Sequence, residues 1–135
     1  HNNRIRFLTG SVIPAQYYYK AQKIRAVLRR QILDALEKVD VLVLPTGPVT
    51  APLVESVPGI QSKEHAFTGL AGRISFTGPF NLAGPPAISV PCGFSTAGMP
   101  MGLQIVGRPF AEETVLKVAH AYEQNTEWHN RRAPI

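Results

Sequence analysis

The sequence predicts an α/β fold, and three observations carry that prediction. Ten of its 11 glycines and 10 of its 12 prolines fall between Pro45 and Pro109, so both ends of the chain are left free for helical periodicity. A short apolar run, Val41 to Leu44, follows the first helical stretch directly. Two later segments, Ala87 to Cys92 and Met101 to Gly107, alternate with the period of a strand. Helix, strand, strand pair and closing helix together describe an α/β arrangement.

The first helix is predicted between Pro14 and Lys38, where no glycine or further proline interrupts. Tyr17, Ala21, Ile24, Leu28, Ile32, Ala35 and Val39 recur at steps of three and four, with Leu36 widening the stripe. Pro14 suits the first turn, where a missing N–H costs nothing. Arg30 with Asp34, and Asp34 with Lys38, are expected to pair on the exposed side for a few tenths of a kcal/mol each. Such a helix of about 25 residues is about 37 Å long, comparable to the whole width expected for a chain of this size. It needs a larger body to lie against.

Val41 to Leu44, ended by Pro45, is expected to be a strand buried on both faces. Thr46 to Gly72 shows little periodicity and exceeds ordinary loop length, which makes it either a functional loop or a surface excursion. Thr77 to Gly84 fits a short helix capped by Thr77 and ended by Gly84 before Pro85 and Pro86. The two alternating segments, joined by Gly93 to Pro100 with Gly98 near the tip, predict a hairpin in which Pro91 keeps its missing N–H off the ladder. Glu112 to Thr126 closes the chain as a helix with a stripe of Val115, Val118, Ala119 and Tyr122. Glu112 and Glu113 sit at its positive end, and Glu113 is placed to pair with Lys117.

With 44% hydrophobic and 17% charged residues, 135 residues hold enough apolar surface to bury roughly two-thirds of what the unfolded chain exposes. A disordered tail is excluded. Cys92, the only cysteine, cannot form an internal disulfide, and no apolar run of about 18 residues spans a bilayer. A soluble, cytoplasmic protein without membrane partners is the expectation. His1 stands where a translated chain has Met, and three strands make a small sheet for so long a helix. Both point to a piece of a longer chain. The formal charge is +5, with a net +6 on residues 1–38. A solvated helix face is the commoner meaning of such a bias, and a basic module binding nucleic acid is the rival.

Motifs for general chemistry are absent: there is no Gly-x-Ser-x-Gly, Gly-x-Gly-x-x-Gly, P-loop or His-Glu-x-x-His. Ser89 and Cys92 lie in an apolar strand and fit small packing residues better than nucleophiles. His65, His120 and His129 lack metal-ligand spacing, so neither a metal nor a cofactor is expected. Lys20, Lys23, Arg25, Arg29 and Arg30 could meet phosphates, but no Gly-rich cradle or stacking platform accompanies them. What remains is Ile74, Gly78 and Asn81, spaced i, i+4 and i+7. If Pro79 does not break the helix, they share one face, which forms either a pocket wall or ordinary packing. Asn81 could equally be a buried amide tying down backbone.

The stretch Thr77-Gly-Pro-Phe-Asn-Leu-Ala-Gly-Pro-Pro-Ala-Ile-Ser-Val-Pro-Cys-Gly93, followed by Gly98-Met-Pro-Met-Gly-Leu-Gln-Ile-Val-Gly-Arg-Pro-Phe110, resembles the C-terminal signature of the amidase signature family. Val39 to Thr46, the Tyr17 to Arg25 helix and the close at Glu123 to Trp128 also fit, in the same order. The resemblance implies that residues 1–135 are the C-terminal segment of a single amidase signature domain, a mixed β-sheet covered by helices. It also implies amide hydrolysis by a serine, cis-serine and lysine triad, with backbone N–H groups holding the oxyanion and an acyl-enzyme between the steps. The family carries those residues in a Gly/Ser-rich N-terminal segment. None of the five lysines here stands in a matching motif, so no catalytic residue is expected in this chain.

Carried over position by position, the resemblance places Ile74 and Gly78 on the acyl side of the substrate pocket, with Thr77 and Asn81 in the same motif. In the amidotransferase branch that forms glutaminyl-tRNA, the position of Ile74 resembles a carboxylate that holds the glutamine amino group. Ile74 cannot do so, which implies a neutral or apolar amide. Arg6 resembles an arginine that grips a substrate carboxylate in that branch, or braces the fold. A small-molecule amide and the remainder of the domain are the implied partners, with a homodimer as a candidate assembly. A component of a glutamyl-tRNA amidotransferase is the alternative.

Overall fold

The structure, a computed structural model, describes residues 2–51 and 75–131, with the backbone alone for residues 2, 3, 5 and 6. Two helices open the chain, α1 (Asn2–Ser11) and α2 (Ala15–Leu36), followed by strand β1 (Val41–Pro45). After residue 75 come α3 (Gly78–Ala83), β2 (Ala87–Phe94), β3 (Pro100–Gly107), α4 (Glu112–Gln124) and a 3-10 turn at Trp128–Asn130. The fold class is α/β, as predicted, and the three described strands pair antiparallel in the order β1-β3-β2.

Register assigns every strand residue to a face. Val43 and Ile88 both lie opposite Ile105, so Val41, Val43, Ile88, Val90, Leu103 and Ile105 share one side. There α4 docks, and Val90, Ile105, Val115 and Ala119 form the core, with Val41, Ile88, Leu103, Val118 and Tyr122 packed around them. The stripe read from α4 is the stripe that packs. Gly107 permits the close approach of strand and helix, since a Cβ there would lie 2.4 Å from Val115 Cγ2. On the opposite side Gln104 and Val106 are buried.

The hairpin forms with Gly98 in its turn at φ 76. A bulge between Pro91 and Gly93 breaks the register, which suits a proline on a strand bonded on one side among the described residues. β1 departs from the expectation of burial on both faces. It has β3 on one side among the described residues, and Val41 packs against the core while Val43 is left 53% exposed.

Pro14 immediately precedes α2, whose C-terminal half packs: Leu28, Ile32, Leu33 and Ala35 are half-buried and Leu36 is fully buried. Its first half does not, with Tyr17, Ile24 and Val27 all more than half exposed. The predicted Arg30–Asp34 and Asp34–Lys38 pairs do not form; among the described residues the ion pairs are Lys117–Glu113 at 2.6 Å and Arg108–Asp40 at 3.6 Å. The first of these is the pair read from the sequence. The sequence does not predict α1, because a helix whose Phe7 and Leu8 are exposed carries no buried stripe to betray it.

Arg108 closes the C-terminal end of α2. Its Nε donates to Leu36 O at 2.9 Å, a carbonyl that the helix end leaves orphaned, and its Nη2 to Val39 O at 3.2 Å in the link to β1. Arg108→Met is expected to lower stability by about 1–2 kcal/mol, because the lost bonds are charge-assisted but half-exposed. Urea unfolding followed by circular dichroism measures it, and an unchanged midpoint would show the cap to be idle.

Candidate functional site

Thr77, Gly78 and Asn81 come together where α3 begins, and one turn organises them. Gly78 N–H donates to Ser75 Oγ at 2.9 Å, and Ser75 Oγ lies 3.2 Å from Thr77 Oγ1. Ser75 therefore does the capping expected of Thr77. Thr77 occupies the N-cap position with helical backbone angles (φ −87, ψ −27) and makes no side-chain cap bond, whereas a capping hydroxyl needs extended backbone to turn back on the helix. Pro79, in the first turn, also removes one of the N–H groups such a hydroxyl would seek.

Because the helix starts at Gly78, the continuous helical face expected for Ile74, Gly78 and Asn81 is not formed: residues 75–77 precede the helix. Ile74 itself lies outside the described residues. Arg6 is placed only by its backbone, within α1. Gly78 is half-buried and Asn81 is exposed, its backbone N–H bonded to Thr77 O at 3.0 Å. Asn81 is thus not the buried amide considered as an alternative, and among the described residues its side chain has no hydrogen-bond partner.

The short α3 is held from three directions. Phe80 and Ala83 are buried beneath it. Arg25 Nε donates to Leu82 O at 2.7 Å, and Arg29 Nη1 donates to Ala83 O, so two side chains of α2 bind the last carbonyls of α3. Gly84, at φ 83, ends the helix in the left-handed region as predicted, its N–H returning to Phe80 O at 2.7 Å. From the sheet, the buried Gln104 donates through Nε2 to Phe76 O at 3.2 Å, fixing the turn that leads into α3.

Sequence reasoning misses Gln104, Arg25 and Arg29 in these roles. Gln104 leaves a trace, an amide on the alternating face between Gly102 and Val106. The arginines leave none, since their partners lie 57 and 54 residues away. Both stand among the five basic residues that could meet phosphate, and their use here weakens the basic-module reading.

A second polar group lies on the same sheet face. Thr46 and Ser89 hydroxyls meet at 2.6 Å across Gly102, whose absent side chain makes room, since a Cβ would come within 2.8 Å of both oxygens. Ser89 is therefore exposed and paired, not packed as expected. No lysine, histidine or carboxylate is hydrogen-bonded to Ser75, Thr77, Thr46 or Ser89 among the described residues. Chemically, these groups can line and orient. Among the described residues no cluster of His, Cys, Asp and Glu gathers to hold a metal, and no helix is long and apolar enough to cross a membrane.

A family model described as Amidase matches residues 2–116. The chain belongs to the amidase family. It is 46% identical over 121 residues to a glutamyl-tRNA(Gln) amidotransferase subunit of Geotalea daltonii, covering 88% of this chain and 23% of that protein. Among solved structures it resembles a glutamyl-tRNA(Gln) amidotransferase subunit of Thermotoga maritima, at 36% identity and a TM-score of 0.60, covering 93% of this chain and 27% of the other. It also resembles 6-aminohexanoate cyclic dimer hydrolase in complex with substrate, at 29% identity and a TM-score of 0.72, covering 90% and 27%. The chain spans about a quarter of the length of these relatives.

Proposed function

We propose that these 135 residues supply one wall of the acyl pocket in an amidase-family hydrolase of neutral or apolar amides. Its serine, cis-serine and lysine lie on polypeptide outside them. Ile74 carries the reading. Where the resemblance puts a carboxylate opposite a substrate ammonium, this chain has a side chain that can neither balance the charge nor accept a hydrogen bond, and an unpaired buried ammonium costs several kcal/mol. Gly78 and Asn81 on α3, and Thr77 at its N-cap, support a fixed wall, since Arg25, Arg29 and Gln104 pin that helix and the turn before it. The reading needs no cofactor. The partners it calls for are a small-molecule amide and the rest of the domain.

A second reading, a component of a glutamyl-tRNA amidotransferase, is favoured by the 46% identity to a protein of that name. Arg6 would then grip the carboxylate of glutamine. Joining the segment to the catalytic portion of a family member and comparing hydrolysis of neutral aryl or aliphatic amides with that of glutamine separates the two. The hydrolase reading expects neutral amides to be preferred and Arg6→Ala to leave that preference unchanged. It also expects Ile74→Asp to raise kcat/KM for glutamine about 10- to 100-fold, the worth of one charged hydrogen bond. A preference for glutamine in the unaltered protein overturns it. The chain alone is expected to show no turnover of any amide.

A further inference from the structure

We infer that Gln104, a residue of the sheet, is a positioning residue that sets the direction in which Thr77 presents its hydroxyl to the acyl group, a role that rests on the pocket reading above. Thr77 stands between two peptide groups, and each is held by a side chain. On its N-terminal side Phe76 O accepts from Gln104 Nε2 at 3.2 Å. On its C-terminal side Gly78 N–H donates to Ser75 Oγ at 2.9 Å. A peptide group is planar and rigid, so a bond to its oxygen or its N–H orients the whole plane. The φ and ψ of Thr77, −87 and −27, are the rotations that relate those two planes. Fixing both planes therefore fixes the direction of the Cα–Cβ bond between them.

The hydroxyl aimed in this way is not consumed by the fold. Thr77 makes no side-chain cap bond, and among the described residues its hydroxyl meets Ser75 Oγ at 3.2 Å, long for a bond between two hydroxyls. Packing does not account for Gln104 either. It is 4% exposed on the central strand β3, with Leu44 and Ser89 opposite it on the two neighbouring strands. An aliphatic side chain would fill that place without the cost of desolvating an amide. Among the described residues no backbone N–H reaches Phe76 O, so this amide is what satisfies the carbonyl. A buried polar pair selects one arrangement where an apolar contact tolerates several. It is also carried by a strand bonded on both sides, a more exact support than the turn it holds.

A double-mutant cycle tests this in the enzyme assembled with its catalytic portion, run on a neutral anilide or on glutamine, whichever it hydrolyses faster. Gln104→Met keeps the length of the side chain and removes the donor. It is expected to raise KM about 3- to 10-fold, the worth of one neutral hydrogen bond, while kcat changes less than about twofold. Thr77→Val deletes the hydroxyl, keeps the shape and is expected to raise KM to the same degree. The double variant is expected to go no further than either alone, because Gln104 acts through Thr77. Ser75→Ala, at an exposed position, is expected to behave as Gln104→Met does and carries the same cycle should Gln104→Met not fold. Amide hydrogen exchange at Gly78 reports on the turn itself and is expected to quicken in Gln104→Met. Exchange and KM both unchanged in that variant overturn the positioning role, as do effects on KM that multiply in the double variant. Faster exchange with KM unmoved in both single variants overturns the pocket reading beneath it.

Discussion

Gly107→Ala is expected to destabilise the chain by about 1–3 kcal/mol, towards the upper end for a single added methyl group. The new carbon would lie 2.4 Å from Val115 Cγ2 and 3.4 Å from Ala111 O, far inside contact distance. Neither side can yield easily. Gly107 is paired to Val41 in the ladder and donates its N–H to Pro86 O, while Val115 is 3% exposed in the core and bonded through its N–H to Ala111 O. The clash must therefore move α4 away from the sheet, opening the contacts of Ala119 and Ile105 with it. Val115→Ala is destabilising on its own because it leaves a void, yet it empties the space the new methyl needs. The two changes together should cost less than their sum, with a coupling of about 0.5–3 kcal/mol measured by urea unfolding of all four proteins. Strict additivity would mean that the strand and helix separate without strain.

The same contact shows what could be read in advance. α4 and the hairpin were legible because each carries its own periodicity and buries the side that the periodicity names: Val115 and Ala119 pack, and Val90 and Ile105 face them. Periodicity said nothing of α1, which exposes Phe7 and Leu8; it named the helix over the first half of α2, but there the apolar stripe stays uncovered among the described residues. The stripe predicted burial in a larger body, and a sequence records that demand without recording what meets it. The cap of α3 failed for a local reason. Ser75 and Thr77 both offered a hydroxyl, and the choice fell to backbone angles and to Pro79, which leaves the first turn with one fewer donor. Of the candidate site, the residue types at 77, 78 and 81 were legible as a motif, whereas the groups that hold them in place belong to α2 and β3 and are joined only by folding.

Arg25→Met together with Arg29→Met should release α3 and, with it, Thr77, Gly78 and Asn81. Methionine keeps the length and apolar stem of each side chain, so the change removes the donors and little packing. A six-residue helix makes few internal bonds, and its last carbonyls are among the groups that no residue of the helix can satisfy. Here the arginines meet that need at Leu82 O and Ala83 O. Charged hydrogen bonds are worth about 1.5–3 kcal/mol each, the lower figure suiting the exposed Arg25 and the higher the half-buried Arg29. If the loss falls on α3 alone, amide hydrogen exchange at Asn81 and Gly84 should quicken by more than about tenfold while the amides of Ile105 and Ala119 hold their rates. Uniform acceleration would show that α2 and α3 unfold with the sheet as one unit. In an assembled enzyme a loosened wall should raise KM for the amide more than it lowers kcat, since Thr77, Gly78 and Asn81 are argued to position the acyl group and take no part in breaking the bond. A fall in kcat at constant KM would place this helix nearer the reacting carbon than the pocket reading allows.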